Sequence, residues 1–387
     1  MRELLITYYK DKKTILLLED GNLVEKYEDD KKQLIEGNIY VGKVQNILKG
    51  LQSAFVNIGE RKNAFIHLKD VLPKKDTNIV NDFEKNNIEE IIKTGDKIVV
   101  EVKRESTNYK GPRVSTHITL AGLYIVLMPN SPFLTISKKI EDEKERERLK
   151  QIILPLLPEG MGAIIRTSAE NQNKDIIEND FKRLLEKWNE IINTPIDECP
   201  KMIYNKGGIV RKLLIDLSNE KLDKIVVENE QIKDEVQLML NELEAKTKIE
   251  IKENIIKEYF LSKQLKDLEN RKVYLKSGGF ITIDKTEALT AIDVNSGKFT
   301  GKDNAEDTIV FVNLEAVNEI AKQIRLKDIG GIIIIDFIDM HEEKDKEKIL
   351  NEMNKCIKKD RSKVQIEEFT KLNLLELTRK HIDSKKE

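Results

Sequence analysis

The chain has 387 residues, 35% of them charged, and 67 Lys and Arg nearly balance 69 Asp and Glu to leave a net charge of −2. That length gives room for two to four domains with ample core, while the charge balance excludes a global basic field, so any binding of a polyanion must come from local patches. Cys199 and Cys356 stand far apart without a metal-binding motif, Met1-Arg2-Glu3-Leu4-Leu5 is no signal-peptide core, and no apolar run reaches the roughly 20 residues of a membrane span. A cytoplasmic protein with no membrane partner is expected.

Residues 1–35 read as a β-rich opening, with Asp20-Gly21-Asn22 as a hairpin turn between strands at 14–18 and 23–27. From Gly37 the texture changes to short, evenly spaced strands at 38–47, 52–58, 64–68, 97–103 and 114–120, the pattern of a small barrel. Tyr40, Phe55 and Phe65 are interleaved there with Lys43, Lys49, Arg61 and Lys62. Rings beside cations on a barrel face suit single-stranded nucleic acid, because bases stack and phosphates are neutralised. At least one of the three rings is expected in the barrel core instead. The polar stretch 78–93 reads as a helical insertion.

The charged run 138–150 begins a solvated helix. Next, Leu157-Pro158-Glu159-Gly160-Met161-Gly162-Ala163-Ile164-Ile165 ends in Arg166-Thr167. A cation beside a hydroxyl suits a terminal phosphate, although an ordinary surface pair is the commoner meaning of those two residues. Residues 200–272 read as strands near 209–217 and 224–227 combined with amphipathic helices, with no catalytic signature. Ser277-Gly278-Gly279 reads as a hairpin turn, since it lacks the lysine and following helix of a phosphate loop.

The most informative stretch is Ala291-Ile292-Asp293-Val294-Asn295-Ser296-Gly297 followed by Gly330-Gly331-Ile332-Ile333-Ile334-Ile335-Asp336. The isoleucine run reads as a strand covered on both faces, as in a parallel sheet, so the acids belong at strand carboxyl ends where a cation can reach them. Between them, Val310, Leu314, Val317, Ala321 and Ile324 recur at helical spacing, and Gly330-Gly331 is expected to end that helix. Strand, helix and strand form a crossover that sets Asp293 and Asp336 side by side. Two acids that merely cap loops are the alternative. Oxygen ligands favour magnesium, or manganese, over zinc, and magnesium usually takes one or two protein carboxylates. Asn295 is placed to orient a ligating carboxylate, whereas Asp339, three residues beyond Asp336, falls on the opposite face of a continuing strand and is expected to play a supporting part. The four histidines, His67, His117, His341 and His381, form no short-spaced metal pair, and no serine-hydrolase elbow is present.

Glu287-Ala288-Leu289-Thr290-Ala291-Ile292-Asp293-Val294-Asn295-Ser296, Asn313-Leu314-Glu315-Ala316 and Ile335-Asp336-Phe337-Ile338-Asp339-Met340, with Leu127-Met128-Pro129-Asn130 and Leu157 to Gly162, are highly specific strings in order. In them the chain closely resembles the bacterial ribonuclease E/G family, from residue 1 to about 380. The resemblance implies a multidomain α/β (α+β) protein. Its parts would be a non-catalytic RNase-H-like subdomain split between 1–35 and 201–270, an OB-fold RNA-binding domain at 36–118, a sensor of the RNA 5′ end at 119–200 and a DNase-I-like catalytic domain at 271–387. It implies Asp293 and Asp336 as magnesium ligands supported by Asn295. It also implies Arg166 and Thr167 as 5′-monophosphate contacts with backbone help from Gly122 and Val126, and Phe55, Phe65 and Lys110 as RNA contacts. The implied activity is magnesium-dependent endonucleolytic cleavage of single-stranded RNA, in rRNA processing and mRNA decay, leaving 5′-phosphate and 3′-hydroxyl ends.

Two departures stand out. Lys363, which the resemblance adds to the RNA contacts, occupies a position where the family can carry arginine near the scissile phosphate. After Leu377-Thr378-Arg379-Lys380 the family usually continues to a C-P-x-C zinc link between protomers, and no such cysteines follow here. The chain is expected either to be cut short of that link or to belong to a branch without it. The long disordered scaffold tail of the family's E type is absent as well, so the shorter G type is expected, as a homodimer without zinc.

Overall fold

The computed structural model describes residues 1–29, 35–71, 87–106, 110–217, 222–297 and 305–382. It is a mixed α/β structure of two compact units, one formed by residues 1–30, 223–234 and 247–387 and the other by 31–222 and 235–246.

The first unit holds two sheets. One has five strands in the order Lys248–Ile251, Lys224–Val227, Arg2–Tyr9, Lys12–Glu19 and Asn22–Asp29. The expected hairpin is present, its turn made by Asp20 and Gly21 at φ 49° and 77°, the positive pair that a two-residue turn of matching twist requires. Leu4, Leu5, Ile6 and Ile15 to Leu18 are all buried, so these strands are covered on both faces.

The other sheet has six strands in the order Lys272–Tyr274, Phe280–Lys285, Leu289–Asn295, Gly331–Asp336, Leu374–Arg379 and Val364–Phe369. Only the central pair, Leu289–Asn295 with Gly331–Asp336, is parallel, and the helix Ala305–Leu326 is its crossover. That helix and Glu343–Ile357 supply Val312, Ala316, Val317, Ile320, Ile324, Ile349 and Met353, which pack against Ile281, Ile292, Val294, Ile333, Ile335, Leu375 and Leu377. The opposite face is open. Ile333 and Ile335 are buried whereas Ile332 is 50% exposed, so the isoleucine run alternates rather than being covered on both sides, and the sheet is mixed rather than parallel. The helix also stops without the glycines: Asp328 takes the left-handed conformation at φ 47°, and Ile329 N–H donates to the Ile324 carbonyl at 2.8 Å. Gly330 is needed because a Cβ there would lie 2.6 Å from the His381 ring.

In the second unit, Ile39–Leu48, Ser53–Asn57, Ala64–His67, Arg113–Ser115 and Lys97–Arg104 close into a five-stranded OB-like barrel, with Lys201–Tyr204 added beside the first strand. Val44, Ala54, Val56, Ala64, Ile66, Val100, Val102 and Val114 fill it. Gly42 permits the closure, since a Cβ would lie 2.6 Å from Val56. The strand expected at 114–120 is two pieces: Arg113–Ser115 belongs to the barrel and Leu120–Ala121 to a separate four-stranded sheet with Ile125–Met128, Gly162–Ile165 and Leu134–Ile136. Two helices cover that sheet. Glu143–Ile153 is the expected charged helix, capped by Asp142, whose side chain accepts from Lys144 N–H at 2.9 Å. Lys174–Ile192 lays down Ile177, Phe181, Leu184, Trp188 and Ile191.

Gly208–Leu217 is a helix, not the expected strand: Ile209, Val210, Leu213, Leu214 and Leu217 recur at helical intervals that a short apolar run disguises. Of the insertion expected at 78–93, the described residues contain the single turn Ile88–Ile91, and the rest lies outside them.

Candidate active site and binding surfaces

Asp293 lies two residues before the end of the strand Leu289–Asn295, Asp336 closes Gly331–Asp336, and the two are direct register partners of the parallel pair. Their Cα atoms are thus about 4.8 Å apart, one strand spacing. Alternation decides where the carboxyls point. Ile292, Val294 and Ile335 go to the core, so Asp293 and Asp336 stand exposed on the open face. Asn295 shares that face, and its Nδ2 donates to Asp293 Oδ2, as its offset of two residues suggests. The strand ends at Asp336, so the alternation argument does not reach Asp339, which is close enough to act on Asp336. Partial burial, then the charges of Asp293 and Asp339, push the Asp336 carboxyl above its usual range.

Two residues in the string Asn313-Leu314-Glu315-Ala316 hold the loops beside the acids. Buried Asn313 donates to the Ile338 carbonyl at 2.8 Å and accepts from Ile338 N–H at 3.1 Å, fixing the chain just after Asp336. Glu315 accepts from Lys276 N–H at 2.7 Å and Ser277 N–H at 3.1 Å, fixing the hairpin turn that the sequence indicates. That turn abuts the acid strand: a Cβ on Gly279 would lie 2.8 Å from the Asn295 carbonyl.

These acids fit a hard divalent cation. Neither has a cationic partner among the described residues, and their mutual repulsion is what an ion between them would relieve. No group of three or more His, Cys, Asp or Glu suited to a metal occurs among the described residues, so the protein's share would be these carboxylates, the small number magnesium ordinarily takes.

On the barrel, Phe55 and Phe65 are register partners whose ring centroids lie 6.1 Å apart in an edge arrangement. Both are half-buried on the outer face, alternating with buried Ala54, Val56, Ala64 and Ile66. Tyr40 is the ring that belongs to the core. Exposed Lys110 begins the segment whose Pro112 carbonyl accepts from Phe65 N–H at 2.7 Å, and a Cβ on Gly111 would lie 2.1 Å from the Asn63 carbonyl. Lys110 is therefore beside the Phe65 strand.

Arg166 and Thr167 follow the strand Gly162–Ile165 directly. Arg166 Nη1 donates to the Gly122 carbonyl at 2.9 Å and Nη2 to Asp216 at 3.0 Å, while the Thr167 and Ser137 hydroxyls are 2.8 Å apart. Ser168 Oγ donates to the Leu123 carbonyl at 2.5 Å. Gly122 starts a turn wrapped around buried Asp180, which accepts from Tyr124 N–H at 2.8 Å and Ile125 N–H at 3.0 Å; a Cβ on Gly122 would collide with that carboxylate. Val126 stands in the neighbouring strand, paired with Ile164 and Ala121. All four predicted residues thus gather at one place. Asp216, Asp180 and Ser137 complete it, and sequence reasoning missed them because each lies in a separate element with no motif.

Lys363 is not brought to the acids. It precedes Val364, which pairs with Arg379, and Arg379 pairs with Gly331 at the opposite end of the strand from Asp336.

A model of the ribonuclease E/G family matches residues 119–382, a span that contains the acid pair and the Arg166 cluster. The chain is 36% identical over 388 residues to ribonuclease G of Haemophilus influenzae and 34% identical over 391 residues to that of Escherichia coli K12, covering 98% of this chain and 79% of each relative. It is also 36% identical over 354 residues to ribonuclease E of Synechocystis, where it covers 89% of this chain and 52% of the relative. A mixed α/β protein with an OB-like barrel and a paired-carboxylate sheet is the class that fold and site define. The chain belongs to the ribonuclease E/G family.

Proposed function

We propose that the protein is a magnesium-dependent endoribonuclease that cleaves single-stranded RNA, favours 5′-monophosphorylated ends and leaves 5′-phosphate and 3′-hydroxyl products. The observation that carries this reading is the register pairing of Asp293 with Asp336 on an open sheet face, with Asn295 bonded to Asp293. Asp293 and Asp336 would hold the cation, and Asn295 would keep the Asp293 carboxylate turned toward it. When bound, such a cation lowers the pKa of a water and neutralises charge gathering on the phosphate. Phe55, Phe65 and Lys110 would hold the RNA on the barrel by stacking and charge.

The Arg166 cluster supports recognition of a terminal phosphate. Two of the five N–H groups of Arg166 are engaged by Gly122 and Asp216, which aim the guanidinium and leave others for a phosphate oxygen, with the Thr167 hydroxyl beside them. One guanidinium and one hydroxyl suit one phosphate better than three. We further propose the four-part division into RNase-H-like, OB, 5′-sensor and DNase-I-like parts, and a homodimer as the working assembly. No described helix is long and apolar enough to cross a membrane. Incubating the protein with a short AU-rich 5′-monophosphorylated RNA, with and without magnesium, tests the reading. Cleavage confined to the magnesium reaction is expected, and equal cleavage in excess chelator would refute it.

A further inference from the structure

We propose that Lys272, Tyr274 and Phe280 form a base-stacking subsite on the open face beside the acid pair, holding one nucleotide close to the phosphate that is cut. This rests on the RNA-cleavage reading above. The register carries it. Lys272 pairs with Thr282, Thr282 with Asp293 and Asp293 with Asp336, so the four stand in one row across the sheet. In the next row Tyr274 pairs with Phe280 and Phe280 with Asn295. Register partners share a face, so both rings and the Lys272 ammonium emerge on the side of the carboxylates. Tyr274 is two strands from Asn295, roughly 10 Å, within reach of the neighbouring nucleotide of a bound strand.

The rings are not there to fill the core. Val273 and Ile281, their alternating neighbours, already face the buried cluster. Tyr274 is 70% exposed and lies 6.2 Å from half-buried Phe280 in an edge arrangement. Lys272 Nζ sits 3.3 Å from the Phe280 centroid and 4.9 Å from that of Tyr274, held between rings with no carboxylate partner among the described residues. A base can lie on the open Tyr274 face while the ammonium meets the adjoining phosphate, the combination that binds single strands without reading sequence.

The test is an abasic scan: 5′-monophosphorylated RNAs, each lacking one base near the cut, cleaved by the parent, Tyr274→Ala, Phe280→Ala and Tyr274→Phe. For the parent, KM should rise about tenfold at one position in the series. Tyr274→Ala and Phe280→Ala should show that higher KM on intact RNA and lose the sensitivity at that position, with kcat little changed, because the subsite binds rather than reacts. Tyr274→Phe should behave as the parent. If both alanine variants keep the parent's KM and its abasic sensitivity, the subsite is wrong while the cleavage reading stands. A parent that does not cut RNA at all removes both.

Discussion

Glu25 and Asp336 lie in the same unit and are held in opposite ways. Glu25 is fully buried and accepts from Arg325 at 2.8 Å, from Arg361 at 3.0 Å and from the Tyr27 hydroxyl at 2.8 Å. Nearby, Arg379 is enclosed by Asp360 and Asp328, both at 2.7 Å, and by the Ile329 carbonyl at 3.0 Å. On the open sheet face Asp336 stands next to Asp293, a like charge, and near a second one, Asp339. The buried cluster pairs its charges and serves the fold. The open face keeps charge unsatisfied, and that spare capacity is what a ligand can use.

The contrast has a sign. Burial alone would raise the Glu25 carboxyl, but Arg361 and Arg325 outweigh it and hold it below the usual glutamate range. Its ionised form therefore contributes stability that is present above the ordinary glutamate pKa and lost as pH falls through the lowered one. For Asp336 the shift is upward, so its contribution is present below the ordinary aspartate pKa and lost as pH rises through the raised one. At neutral pH the ionised Asp336 works against the fold.

The largest effect should come from the paired, buried side. Glu25→Gln takes the shared carboxylate from two buried guanidinium groups, leaving Arg325 with Glu19 alone, and should lower unfolding stability by about 3–5 kcal/mol in denaturant titration, with a flatter acid limb. A loss below about 1 kcal/mol would mean that Glu25 does not hold the cluster together. Among the aromatics, Tyr40 is core and Phe65 is outside, so Phe65→Ala should weaken RNA binding by about 1–3 kcal/mol while melting close to the parent. Unchanged affinity would remove Phe65 from the RNA surface. Arg166, with donors to spare, contrasts with enclosed Arg379. Arg166→Ala should slow cleavage of 5′-monophosphorylated RNA by about tenfold, the scale of one lost charge-assisted bond, and spare 5′-hydroxyl RNA. Equal slowing of both substrates would give Arg166 a structural role.

Much of the site was legible before the structure. Asp293 and Asp336 could be paired because a helical stripe between two strands has one common outcome, a crossover with both strand ends on one side. The open face was not legible, since four isoleucines read alike whether two faces are covered or one. The sequence points to Gly330-Gly331 as the helix end because glycine usually takes that role, whereas Asp328 adopts the left-handed turn and Gly330 answers to the His381 ring. Lys363 could not be placed, because only the register of two strands distant in sequence puts it at the far end from Asp336. The Lys272, Tyr274 and Phe280 group carries no signal in the sequence for the same reason: its meaning lies in cross-strand rows.

The most direct measurement pairs cleavage and melting on one preparation of Asp336→Asn. The account predicts cleavage of monophosphorylated RNA slowed by roughly a hundredfold or more, by analogy with removal of one key electrostatic stabiliser, and a melting temperature no lower than the parent's because a repulsion has been removed. Cleavage by Asp336→Asn at near the parent's rate would contradict it.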